Sequence, residues 1–109
     1  MKTAIIGSRN IVNIDFTKIN TPITEIISGG AKGVDTLAKN YAINNNINLI
    51  EIKPDYKKHH FKQAPLLRNI EIVNKSDIVY AFWDGVSKGT LFVINYCKKI
   101  GKPINVILS

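Results

Sequence analysis

Three turns in this chain have the residue types needed to hold an anion. The first is Gly7-Ser8-Arg9. The second is Ser28-Gly29-Gly30-Ala31-Lys32-Gly33, followed by Asp35. The third is Trp83-Asp84-Gly85, continued by Ser87-Lys88-Gly89-Thr90. Glycines let a backbone approach an anion closely and adopt positive φ. The first N–H groups of a helix lack partners and point outward, and the helix dipole favours negative charge there. Hydroxyls donate further bonds, and Lys or Arg neutralises charge. The segment GGAKGVD matches neither the dinucleotide fingerprint nor the P-loop. The argument therefore rests on several such turns converging, and on what brings them together.

The elements that must position them alternate. TAIIG (Thr3 to Gly7), EIIS (Glu25 to Ser28), NLIEIK (Asn48 to Lys53), DIVYAFW (Asp77 to Trp83) and PINVIL (Pro103 to Leu108) read as strands. The helical runs are Val34 to about Asn44, a run starting near Gln63, and Thr90 to Ile100. Asp15 to Asn20 reads as a brief helix capped by Asp15. The expected inward faces are Val34, Leu37, Ala38, Tyr41 and Ala42 in the first helix, and Leu66, Leu67, Ile70 and Val73 in the second. In the third they are Leu91, Ile94 and Cys97, with Val93 or Ile100. Strands alternating with helices through short connections predict an α/β fold. The expected form is a Rossmann-like open parallel sheet of about five strands with helices on both faces, in three α/β/α layers. In such sheets ligands bind beyond the carboxyl ends of the strands, where the strand order reverses. All three turns follow strand ends.

At 109 residues the chain is expected to form one domain, 1–109, with one modest core. No apolar run approaches the roughly 20 residues that span a bilayer, so no membrane partner is expected. Met1 to Asn10 lacks the apolar region and cleavage site of a secretory signal, and Cys97 is the single cysteine. Both lead to the expectation of a cytoplasmic protein. The net charge of +7 favours an anionic partner, although the lysines are spread along the chain.

Several residues carry two readings. Asp35 either caps its helix or holds the turn, or it binds a ribose hydroxyl, because a carboxylate repels phosphate. Arg68 is either a solvated arginine or a cation at the sheet's edge. Trp83 is either core or a platform for a base, a role open also to Tyr56. His59 and His60 have no Cys or acidic partners at metal-site spacing, so no metal site is expected. No cofactor is expected. Cys97 falls on the apolar side of its helix, as an inert core thiol does. No arrangement for nucleophilic catalysis is present.

The segments IIGSRN, IISGGAKGVDTLAKNYA, PDYKKHHFKQAPLLRN, SDIVYAFWDGVSKGT and KKIGKPINVI together resemble the YspA-like branch of the SLOG superfamily. That superfamily also contains the LONELY GUY phosphoribohydrolases and the DNA-processing protein DprA. The resemblance implies a Rossmann-like fold, a site for a nucleotide or nucleotide derivative, and association into dimers. ADP-ribose- or NAD-related compounds and cyclic nucleotides are among the ligands it suggests, and several relatives are thought to act as sensors in bacterial and phage conflict systems. It places a GSR motif on Gly7, Ser8 and Arg9, and SGGAKGVD on Ser28 through Asp35. An RN motif falls on Arg68 and Asn69, and WDGxSKGT on Trp83 through Thr90. In the LONELY GUY enzymes the last turn resembles GGxGTxxE, with a catalytic glutamate. Here Gly89 and Thr90 match, but Val93 stands in the glutamate's place. An apolar side chain cannot stabilise positive charge on a ribose ring. The first expectation is thus ligand binding. The alternatives are N-glycosidic hydrolysis, with Asp35 or Asp84 as substitute carboxylate, and a nucleic-acid module using Lys57, Lys58 and Lys62. Whether the chain is an enzyme is left open.

Overall fold

The five β-rich runs form five strands in a computed structural model that describes residues 1–109. They are β1 (Lys2–Gly7), β2 (Glu25–Ser28), β3 (Asn48–Glu51), β4 (Ile78–Trp83) and β5 (Ile104–Leu108). All pair in parallel, in the order β3-β2-β1-β4-β5. The helices are α1 (Val34–Asn44), α2 (Ala64–Lys75) and α3 (Lys88–Ile100). A 3-10 turn at Phe16–Lys18 lies between β1 and β2, and Asp15 caps it by accepting the Thr17 N–H. The chain steps outward from β1 through β2 to β3. It then returns to the other side of β1 as β4 and β5. The order therefore reverses between β1 and β4, whose register runs from Thr3↔Ile78 to Gly7↔Phe82.

β4 and the middle of β1, Ala4 to Ile6, are apolar because both of their faces are covered. Alternate residues feed two cores. On one face Ala4, Ile6, Val79 and Ala81 meet Ile72 and Val73 of α2 and Val93, Ile94 and Cys97 of α3. On the other, Ile5, Tyr80 and Phe82 meet Val34, Ala38 and Ala42, which recur every fourth residue along α1. The expected three-layer Rossmann-like α/β/α architecture is thus present. Two side chains expected to face inward do not. Leu67 and Leu91 are exposed, and Ile72 carries the contact of α2 instead. Of the alternatives Val93 and Ile100, Val93 is the buried one. Only the later turns of α2 reach the sheet. The outer flank of α3 lies over the edge strand β5, beyond which no strand follows, so Val106 and Leu108 are exposed there too.

The loop from β1 to β2 has only the 3-10 turn, so side chains must anchor it. Tyr80 is fully buried, and its hydroxyl bonds to the Thr21 hydroxyl at 3.0 Å and donates to Asn20 Oδ1 at 3.2 Å. Tyr80→Phe is expected to cost about 1 kcal/mol. In thermal unfolding that is a fall of about 4 °C, with no effect on the distant carboxyl edge.

Candidate functional site

A cavity of about 390 Å³ opens at the carboxyl end of the sheet, between the first turns of α2 and α3. β1 supplies its floor through Ile6 and Gly7, and Arg9 and Asn10 follow directly. Ala31 and Asp35 enter from the β2–α1 turn. Arg68 and Asn69 line the α2 wall with Pro65, Leu66 and Ile72. Asp84, Ser87, Gly89, Thr90 and Val93 form the α3 wall. The topological switch point thus coincides with the cavity, as it should in an open parallel sheet.

Nine of the residues singled out in the sequence line this cavity: Gly7, Arg9, Asp35, Arg68, Asn69, Asp84, Ser87, Gly89 and Thr90. Seven do not. Ser8 is fully buried and its hydroxyl accepts the Asp84 N–H at 3.1 Å, so it joins the β1 and β4 ends instead of facing a ligand. Ser28 is buried below Asp35 with no hydrogen-bond partner for its hydroxyl. Gly29 separates Asp35 from Arg68: a Cβ there would lie 2.7 Å from Arg68 Nη1 and 2.9 Å from Asp35 Oδ2. Gly30 sits at the exposed tip and Gly33 packs on the Ser8 and Arg9 carbonyls. Trp83 packs against the core on the α2–α3 face, and its indole N–H donates to Ser87 O at 3.0 Å, which removes it as a base platform. Lys88 is exposed outside the cavity.

The two carboxylates of the cavity differ. Asp84 Oδ1 accepts N–H groups from Val86 and Ser87, both at 2.8 Å. Those bonds, Ser87 first, hold its pKa below the ordinary value. Asp84 is therefore ionised and anchors the turn that launches α3. Asp35 is 8% exposed and its Oδ2 accepts only the Ala31 N–H, at 3.1 Å. Burial raises its pKa. The Ala31 bond, the Arg68 charge, the Ser28 hydroxyl and the Arg9 charge oppose that rise with smaller effects. Arg68 donates to Gly29 O at 2.7 Å and to Asn69 Oδ1 at 2.8 Å. Burial lowers its pKa, and it forms no ion pair with Asp35 within 4 Å. The cavity floor thus holds an acceptor and a donor held apart by Gly29.

Sequence reasoning had not singled out Asn10, Ala31, Pro65, Leu66 or Ile72 as lining residues. A signal was available for α2: Pro65, Arg68 and Ile72 recur at helical spacing, so a face centred on Arg68 includes them. Val93 had been noted only as a departure from a catalytic pattern. The structure puts that apolar side chain on the cavity wall, one turn beyond Thr90.

A five-stranded parallel sheet in this order, with a cavity at the switch point, is a Rossmann-like fold. The model of the YspA, cpYpsA-related SLOG family matches residues 11–59. That match covers 49 of the 109 residues and supports the resemblance to the YspA-like branch of the SLOG superfamily. The matched segment contains SGGAKGVD and ends before Arg68 and the α3 turn. No match was found among curated proteins or among solved structures. That similarity suggests a nucleotide-related ligand or a related activity. No helix is long and apolar enough to cross a membrane.

Proposed function

We propose that the protein binds a nucleotide or nucleotide-derived molecule in this cavity. Phosphate would sit at the start of α3 and a sugar hydroxyl on Asp35. The observation that carries this reading is the asymmetry between the two helix starts. The first turn of α3 has no acidic residue. Its first helical bond is Leu91 N–H to Ser87 O, so the Lys88, Gly89 and Thr90 N–H groups precede it and await an acceptor. The first turn of α1 contains Asp35, whose carboxylate repels an anion and accepts hydroxyl protons. Arg9, exposed at the rim, supplies the balancing charge. Val93 on the wall, where the hydrolases have a glutamate, favours binding without cleavage.

Calorimetric titration with nucleoside monophosphates, ADP-ribose, NAD and cyclic nucleotides tests the proposal. At least one is expected to bind, and Arg9→Ala is expected to weaken it about tenfold, the loss of one charge-assisted contact. Absence of binding at millimolar ligand, by folded protein, overturns the reading. Release of free base during the titration would replace it with the hydrolase alternative.

A further inference from the structure

We infer that the carboxyl edge around the cavity is a docking surface for an acidic protein segment bearing aliphatic or aromatic side chains. This goes beyond the small-ligand reading and does not depend on it. Five of the six most exposed large apolar side chains lie at this edge: Val12 (87%), Val86 (79%), Leu108 (71%), Phe61 (65%) and Tyr56 (58%). Val12 is two residues past Asn10, and Val86 stands between Asp84 and Ser87, all three of which line the cavity. Tyr56 and Phe61 belong to the connector that runs from β3 into Pro65 on the cavity wall. Leu108 ends β5 beside Trp83. Exposed apolar surface rimmed by polar residues is what a protein interaction site offers.

The charge at this edge selects the partner. Lys57, Lys58 and Lys62 lie on the connector, and Arg9, Lys32 and Lys88 stand one in each other turn. All six are exposed, and none is ion-paired, the single pair within 4 Å being Lys39–Glu51. Two carboxylates stand among them, the exposed Asp55, which accepts the Lys57 and Lys58 N–H groups, and Asp84, which holds its own turn, while Asp35 is buried. The six cations outnumber them, and an edge with excess positive charge repels a second copy of itself and attracts an acidic partner. A single-stranded nucleic acid would use ring faces. Val12, Val86 and Leu108 have none, and Phe61 already carries the His60 ring at 4.5 Å and the Lys62 ammonium at 5.9 Å.

Binding of a fluorescein-labelled glutamate–tyrosine copolymer, followed by anisotropy, tests the inference. Polyglutamate, oligothymidylate and phosphatidylserine vesicles are run alongside, with no small ligand present. The copolymer is expected to bind about tenfold more tightly than polyglutamate, since apolar anchors and not charge alone supply the contact. Val12→Ser with Val86→Ser is expected to remove that advantage. Lys57→Glu with Lys58→Glu is expected to weaken both polymers, most strongly at low salt. All four side chains are exposed, and unchanged thermal unfolding verifies that the variants fold. Equal binding of the two polymers overturns the inference, as does insensitivity to the valine changes or no binding of either polymer. Tighter binding of oligothymidylate or of the vesicles also overturns it, in favour of those partners. Each of these results leaves the small-ligand titration unaffected.

Discussion

Gly33→Ala is expected to lose about 3 kcal/mol or more of stability, while Gly89→Ala in the matching turn loses none. Gly33 has φ 74° and ψ −125°, the mirror of the extended region, which a side chain rarely adopts. That strain alone costs on the order of 1–3 kcal/mol. A Cβ would also lie 2.5 Å from both the Ser8 and Arg9 carbonyl oxygens. Neither carbonyl has room to retreat, because Ser8 O accepts N–H groups from Ile11 and Val34 and Ser8 N donates to Phe82 O. Forced overpacking adds about 1–3 kcal/mol. Against a total of roughly 5–15 kcal/mol, the variant should unfold at a much lower urea concentration, or be unfolded from the start. At Gly89 a Cβ meets nothing within 4 Å, and the residue is in the first turn of α3. Alanine there raises stability by up to about 1 kcal/mol through helix propensity, and its methyl group enters the cavity. Ligand titration of Gly89→Ala should therefore show weaker binding in a protein at least as stable as the wild type. A urea midpoint for Gly33→Ala equal to that of the wild type would refute the close packing of the β2–α1 turn on the end of β1.

That contrast marks what the sequence could and could not disclose. The fold was legible because the cores of β1 and β4 are apolar on both faces and turns with Gly, Pro or Asn punctuate most elements. Alternation then leaves few topologies. The cavity's position followed from the same rule. The roles within it were less legible, because GGAKG and SKGT look alike as strings. Only the structure shows that Gly33 serves packing and Gly89 borders the cavity. The hydroxyls were misread for the same reason. A serine after a strand suits a ligand or a neighbouring N–H equally well, and Ser8 bonds Asp84 N–H across the sheet. Trp83 was undecidable in sequence because a ring at a strand end can turn either way, and its bond to Ser87 O fixes it inward. Periodicity turns Leu91 inward, but it does not reveal that β5 is an edge.

Gly33 and not Asp35 occupies the N-cap of α1, so Asp35→Asn decides between the two roles that remain, holding the turn through the Ala31 N–H or accepting a ligand hydroxyl. Burial raises the Asp35 pKa above its unfolded value, so the folded state disfavours the charged form. Linkage then fixes the sign. The stability tied to a raised carboxyl pKa is fully present below the ordinary carboxylate value. It is lost as pH rises through the folded value. At neutral pH the wild type therefore bears the cost of a buried charge. Asparagine removes that cost and can still accept the Ala31 N–H, while Arg68 keeps its bonds to Gly29 O and Asn69. The variant is expected to be more stable at neutral pH by on the order of 1 kcal/mol, a gain typical of relieving a functional site. The gain should vanish as pH falls into the ordinary carboxylate range. Ligand affinity should move the other way, falling about 10- to 100-fold with the loss of a charge-assisted acceptor. A residue that only held the turn behaves differently, because asparagine caps and accepts N–H groups about as well as aspartate. Its replacement by asparagine leaves ligand affinity unchanged, whatever the gain in stability. Thermal unfolding across pH, paired with titration of the best-bound nucleotide, separates the two roles, because only the hydroxyl acceptor loses affinity.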